Sequence, residues 1–328
     1  MLFVRIFRQI HSCFIIISKD GKNHVKQNSK NQLIGSALLL ICAFIWGSAF
    51  VAQTTGAEYV GPFTFIYLRS FLGGIVLLPV IFIMGKIKKK TDEEKVNEKN
   101  GRKTLLIGGI CCGAALCFAS VFQQAGIDKG TDPGKAGFIT ALYILLVPLS
   151  SLFMKKRVRP IIWPCIAASV VALYLLCVTE NNSVELSDLL VLICAVLYTV
   201  HILVIDKVSP HVDGVKLSCI QFFVAGVISL VPAIIYEGVD FEAIRAAMPS
   251  VAYAGIMSSG VAYTLQILGQ QKTEPTLASM IMSLESVFAV LTSMAVLHLA
   301  PTPREAIGCV IMFIAIIVAQ LPERKKKS

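Results

Sequence analysis

The chain has 328 residues, of which 55% are hydrophobic and only 15% charged, with a mean hydropathy of +0.74 and a formal net charge of +10. That is more apolar side chain than a soluble core can enclose, so the composition excludes an ordinary soluble domain and makes lipid the main solvent. The basic residues are interrupted by long charge-free runs with no interleaved aromatic module, so no nucleic-acid partner is expected and the positive charge is assigned to topology.

In chain order, residues 2–18 place Phe3, Phe7, Ile10, Phe14 and Ile17 on one helical face and turn Arg5, Arg8 and His11 elsewhere. This is the pattern of an amphipathic helix lying in the membrane interface, and it is too short and too charged to span. Ten stretches follow that can cross a hydrocarbon core, each of roughly 20 residues. They fall at 33–53, 62–84, 104–126, 133–154, 160–178, 187–205, 214–235, 249–270, 275–298 and 303–321. The cysteines lie almost entirely inside these apolar runs, with no C-x-x-C pair and no histidine at ligand spacing. They read as small core hydrophobes rather than as a disulfide framework or metal set, and no metal and no cofactor is expected.

The basic residues test this count independently, because short cytoplasmic loops hold an excess of Lys and Arg. Six lie in the N-terminal tail, eight over 86–103, four over 155–159 and two over 206–216; Lys272 and four residues from Arg324 to Lys327 bring the total to 25 of 30. All 25 fall on one side of a ten-helix arrangement. Both termini are therefore expected in the cytoplasm, with the chain in the cell membrane.

An internal repeat is visible. Leu40-Ile41-Cys42-Ala43-Phe44-Ile45-Trp46 opens the first half as Leu192-Ile193-Cys194-Ala195-Val196-Leu197-Tyr198 opens the second, and Thr131-Asp132-Pro133 precedes the fourth crossing as Thr273-Glu274-Pro275 precedes the ninth. An acidic residue before a proline is a sound helix start. Five crossings per half is an odd number, so the second half enters the membrane from the opposite side. The expected fold is an all-α integral membrane protein with ten transmembrane helices in two inverted five-helix repeats. Its expected organisation is a tail over 1–31, repeats over 32–180 and 181–321, and a basic tail over 322–328. Inverted repeats give one chain two nearly equivalent packings, which suits a site exposed to each side in turn.

Trp46-Gly47-Ser48, Arg69, Gly134-Lys135-Ala136-Gly137-Phe138-Ile139-Thr140, Asp188-Leu189-Leu190 and Ser283-Leu284-Glu285-Ser286-Val287-Phe288 follow one another in this duplicated frame. Together, over 33–321, they make the chain similar to the EamA family of the drug/metabolite transporter superfamily. The resemblance implies a ten-helix basket around a central cavity. It also implies a permease that moves metabolites such as amino acids, sugars or phosphorylated compounds by alternating access. The expected partners are a small-molecule substrate and the lipid bilayer, with a homodimer as an open alternative.

Glu285 lies ten residues into the ninth crossing, roughly 15 Å along it and near the midplane. A carboxylate at that depth faces a cavity, pairs or carries a proton, and marks a substrate or ion pathway unless it is a structural cap. Arg69 in the second crossing cannot shed its charge, so it either meets an anionic substrate or holds a structural partner such as Glu285 or a backbone carbonyl. Gln124, Tyr143, Tyr198, Gln266 and His201 supply hydrogen-bonding groups for a polar solute, with interhelical hydrogen bonds as the alternative. Trp46 beside Gly47 reads as a cavity wall or a packing residue. These eight are the candidate substrate-binding residues. No catalytic residue is assigned, because the chain has no H-E-x-x-H, no G-x-S-x-G and no aspartate pair within a span. A channel or receptor-like protein is the alternative reading, although no pore loop or appended soluble domain is visible.

Overall fold

A computed structural model of the chain describes residues 29–87, 92–131, 133–153, 158–177, 185–297 and 302–321. The interfacial helix expected over 2–18 and the basic tail 322–328 lie outside the described residues. The helices are α1 (Ser29–Ala57), α2 (Pro62–Ile87), α3 (Asp92–Asp128), α4 (Pro133–Ala141), α5 (Tyr143–Phe153), α6 (Ile162–Cys177) and α7 (Leu186–Val208). They continue as α8 (Gly214–Pro232), α9 (Phe241–Tyr253), α10 (Tyr263–Gln270), α11 (Pro275–Met282), α12 (Glu285–Leu297) and α13 (Pro303–Gln320). The fourth crossing is α4 plus α5, the eighth is α9 and α10 joined through Ala254–Ala262, and the ninth is α11 plus α12. Among the described residues nine helices are long and apolar enough to span a membrane, and α6, apolar over Ile162–Leu176, is the shorter tenth. No strand occurs among them, as a hydrocarbon solvent that cannot satisfy open backbone groups demands.

Helix starts are written locally. Asp213 accepts the N–H groups of Val215 and Lys216 at 3.0 and 3.1 Å, and Asp240 accepts those of Glu242 and Ala243 at 3.0 and 3.1 Å. Thr302 and Glu305 form a reciprocal capping box around Pro303. Glu237 caps a different helix: its carboxylate takes the N–H groups of Phe63 and Thr64 at 2.9 and 2.7 Å, tying the end of the seventh crossing to the start of α2. Two helices start earlier than their apolar runs. α3 begins at Asp92 rather than near 104, and the eighth crossing begins at Phe241 rather than 249, because Asp240 caps a polar first turn that hydropathy alone passes over.

The two ends of the bundle differ in charge. At one end Gln271 donates to the carbonyls of Ser209 and Val212 at 2.7 and 3.2 Å, and Arg159 donates to that of Leu321 at 2.9 Å. Gly35 packs on Thr273 there, and Gly101 on His211. Arg102, Lys103, Lys207, Lys216 and Lys272 belong to this end by position in the chain. The opposite end carries the Glu237 cap, a bond from Thr131 to Asp188 at 3.2 Å and one from Arg304 to the Tyr174 carbonyl at 3.4 Å.

Packing between helices comes in exchanged pairs, as an inverted repeat requires. α3 lies along α7 just as the eighth crossing lies along α1, and α3 lies along α8 just as the eighth crossing lies along α2. Crossings of equal rank meet each other: α2 with α8, α5 with α11, and α6 with α13. In lipid no hydrophobic drive holds helices together, so close approach depends on small residues. Gly109 and Gly113 of α3 admit Ile220 and the Gln221 backbone of α8, and Gly47 of α1 lies against the backbone of Glu285 and Ala289 in α12. A Cβ on Gly47 would stand 2.6 Å from the Glu285 carbonyl oxygen and 2.7 Å from the Ala289 nitrogen, whereas one on Gly85 meets nothing within 4 Å. Gly47→Ala should therefore destabilise the protein by about 1–3 kcal/mol, the range for overpacking, while Gly85→Ala leaves it unchanged. Thermal melts of the detergent-solubilised variants check this, and equal melting temperatures would contradict the proposed crossing of α1 and α12.

Candidate functional site

The fourth and ninth crossings are both broken, at equivalent places. Between α4 and α5 the Leu142 N–H reaches back three residues to Ile139, and Leu145 reaches back three to Leu142. Between α11 and α12 Leu284 and Ser286 make the same three-residue bonds to Ile281 and Ser283. The ninth break has a side-chain cause, because the hydroxyls of Ser279 and Ser283 donate to the carbonyls of Thr276 and Met280 at 2.8 and 2.7 Å and bend the helix. The first residue after each break points at the other: Tyr143 opens α5, Glu285 opens α12, and the Tyr143 hydroxyl donates to Glu285 Oε1 at 3.1 Å. In the register that pairs Thr131 with Thr273, these two are repeat equivalents.

Around this pair lies a cavity, which draws residues from both repeats. Trp46, Arg69, Tyr143, Tyr198, Gln266 and Glu285 are on its wall, together with Gln53, Gln123, Thr140, Ser258 and Tyr263. Of the eight residues singled out from the sequence, six therefore meet around one space. Gln124 does not: it is buried, and its Nε2 donates to the Gln53 carbonyl of α1 at 3.1 Å. Of the neighbouring glutamines Gln123 and Gln124, both candidates by residue type, Gln123 takes the wall position and is bonded to Thr140 at 3.0 Å. One step along a helix is a rotation of about 100°, enough to exchange a cavity for a helix contact. His201 is also off the wall, fully buried and bonded through Nε2 to Gln221 Oε1 at 3.1 Å. Tyr263 and Thr140 were legible as polar groups within their crossings, whereas Gln53 and Ser258 carried no distinguishing sequence signal, since polar residues occur on every face of these helices.

The two charges do not pair. Arg69, 5% exposed, donates through Nε to Ser259 at 3.2 Å and through Nη2 to Ser258 at 2.8 Å, so hydroxyls rather than Glu285 hold it. Both serines sit in the Ala254–Ala262 stretch, where the helix widens: the Tyr263 N–H reaches five residues back to Ser258. Widened turns of this kind occur at functional sites, and the equivalent α3 has none. Tyr263 then packs on Trp46 in a tilted contact, with ring centres 4.7 Å apart and planes inclined at 59°, and shares a hydroxyl contact with Tyr198 at 3.1 Å, which in turn meets Ser120 at 3.2 Å. Trp46 Nε1 and Gln266 Oε1 are buried beside the cavity with no hydrogen-bond partner among the described residues. One donor and one acceptor on the cavity wall thus have no protein partner among the described residues. No cluster of His, Cys, Asp and Glu able to hold a metal occurs among the described residues.

The linked hydroxyls should behave as one unit. Tyr198→Phe and Tyr263→Phe should each lower stability by about 0.5–1.5 kcal/mol, and the double variant by clearly less than the sum, since both singles break the same bond. A double-mutant cycle on the solubilised protein measures this, and strict additivity would show that the two hydroxyls are not coupled.

The sequence relationships agree with this architecture. The EamA-like transporter family matches the chain twice, over residues 33–178 and 185–320. An uncharacterized transporter of Archaeoglobus fulgidus is 29% identical over 286 residues, covering 86% of this chain and 84% of its own. The uncharacterized transporter YwfM of Bacillus subtilis is 21% identical over 90% of this chain and 96% of its own. A solved crystal structure, 19% identical, shares the fold with a TM-score of 0.70 over 89% of this chain and 96% of its own. The chain, a multi-pass membrane transporter with the family's domain in duplicate, belongs to the EamA-like transporter family.

Proposed function

We propose that the protein is a secondary transporter that moves a small polar metabolite, such as an amino acid, by alternating access of the cavity between its two repeats. The observation that carries this reading is the pair of breaks at Leu142 and at Ser283–Leu284, which bring the equivalent residues Tyr143 and Glu285 together beside the cavity. Interrupted helices meeting near the midplane are how inverted-repeat transporters build a substrate site. A zwitterion suits the wall: Arg69 for a carboxylate, Glu285 for an ammonium group, and the adjoining rings of Trp46 and Tyr263 for the side chain. The remaining organisation follows the sequence reading, with repeats over 32–180 and 181–321. The basic end faces the cytoplasm of a cell membrane, which agrees with the gathering of Arg and Lys at one end of the bundle.

Counterflow in proteoliposomes preloaded with candidate metabolites tests the reading. The wild type should concentrate the labelled form of its solute, and empty liposomes should not. Glu285→Gln fixes the neutral state of the side chain, so it should keep solute-for-solute exchange and lose accumulation driven by a pH gradient. Full transport by Glu285→Gln with unchanged pH dependence, at normal expression, would remove Glu285 from the transport cycle.

A further inference from the structure

Arg69 stands between two hollows. It lines the central cavity and also a smaller chamber between the second, third, seventh and eighth crossings. The polar residues that the described chain brings to this chamber are Arg69, Ser70, Cys117, Ser120, Ser259 and Tyr263, so it contains a cation and proton donors but no carboxylate. Glu285 lies on the wall of the central cavity only.

Arg69 has no salt-bridge partner among the described residues. A guanidinium stays charged at any physiological pH and has five N–H donors, of which Ser258 and Ser259 take two. No acidic side chain forms an ion pair with it among the described residues, and it is 5% exposed. The inverted repeat supplies no balancing charge either. In the register that pairs Trp46 with Tyr198, the equivalent of Arg69 is Gln221, a neutral residue bonded to His201. A buried, unpaired charge is among the costliest features a fold can hold, and more so in a membrane.

The hydroxyls around Arg69 are arranged to donate. Ser258 and Ser259 accept from the guanidinium, so each keeps its own proton. Ser120, Tyr198 and Tyr263 form a chain of three hydroxyls with two links, so one proton is left over. When the chain runs in one direction from end to end, that proton falls to Ser120 or Tyr263, both of which line the chamber; were Tyr198 to accept from both neighbours, its own proton would be the one left over.

We propose that this chamber is an anion site, in which a small monovalent anion held by Arg69 and by the hydroxyls of Ser120, Ser259 and Tyr263 neutralises the guanidinium inside the membrane. The anion is either a halide drawn from solution or the carboxylate of a solute reaching past Arg69 from the central cavity. This inference goes beyond the transport reading, and its test needs no transport.

The purified protein in detergent is titrated with sodium chloride or sodium acetate against sodium gluconate at constant ionic strength, and the melting temperature is followed. A saturable rise with chloride identifies a halide as the occupant; a saturable rise with acetate alone identifies a carboxylate. Arg69→Gln should melt no lower than the wild type in gluconate, because it removes the unpaired charge, and should respond to neither anion. Ser259→Ala keeps the charge and should raise the half-saturating anion concentration about fivefold, the equivalent of one hydrogen bond, so it carries the test if Arg69→Gln does not fold. A wild type that responds to neither salt, or a response unchanged in these variants, overturns the proposal. Absence of transport in proteoliposomes with the anion response intact would instead count against the function proposed above.

Discussion

Two ionisable side chains, Arg69 and Glu285, lie inside a body of apolar helices, and they do not neutralise each other. Hydrocarbon cannot solvate either, so both must be enclosed by protein and supplied with hydrogen bonds. The arrangement of the helices answers that constraint. Serines 258 and 259 of the eighth crossing surround Arg69, and Tyr143 reaches Glu285 from the fourth. Each charge is therefore held by a contact between the two repeats. Separating the halves would expose both to lipid, so the polar centre fixes the register in which the repeats face each other.

Inversion provides the scaffold and local departures from it provide the chemistry. Tyr143 and Glu285 occupy equivalent positions, as do Trp46 and Tyr198, and Arg69 and Gln221, yet each pair differs in charge or in hydrogen-bonding capacity. The same holds for the backbone: α3 runs without interruption from Asp92 to Asp128, while its counterpart widens over Ala254–Ala262, where the two serines meet Arg69. Near-symmetry gives the chain two comparable packings, and the unequal side chains at the centre give a solute something to distinguish.

Much of the fold was legible because its cause is length and hydropathy, which act on whole segments. Ten apolar stretches, the excess of basic residues at alternate loops, and the paired Leu40–Trp46 and Leu192–Tyr198 segments were enough for ten crossings in two halves. The helix breaks were less accessible. No proline lies between α11 and α12, and the interruption arises from serine hydroxyls whose choice of partner depends on the local backbone. The early start of α9 was hidden because Asp240 acts through a cap rather than through hydropathy. For the site, residue type carried the signal where it was rare in a span, as with Glu285 and Arg69. Direction did not follow from type: Gln123 and Gln124 are chemically identical neighbours, and only packing against Thr140 and Gln53 decides which one meets the cavity. The third and eighth crossings carry polar residues on several faces, so no stripe marks the side that turns inward.

If the repeats rock about the cavity, the two ends of the bundle must open in opposition. Spin labels at the exposed positions Leu33 and His211 report on the basic end, and labels at Tyr59 and Glu242 report on the opposite end. Double electron–electron resonance on the protein in lipid nanodiscs, with and without the transported solute, then reads both distances. The account predicts two populations whose balance shifts with solute, the distance at one end lengthening as that at the other shortens. A single fixed distance at both ends, in protein that still transports, would contradict alternating access.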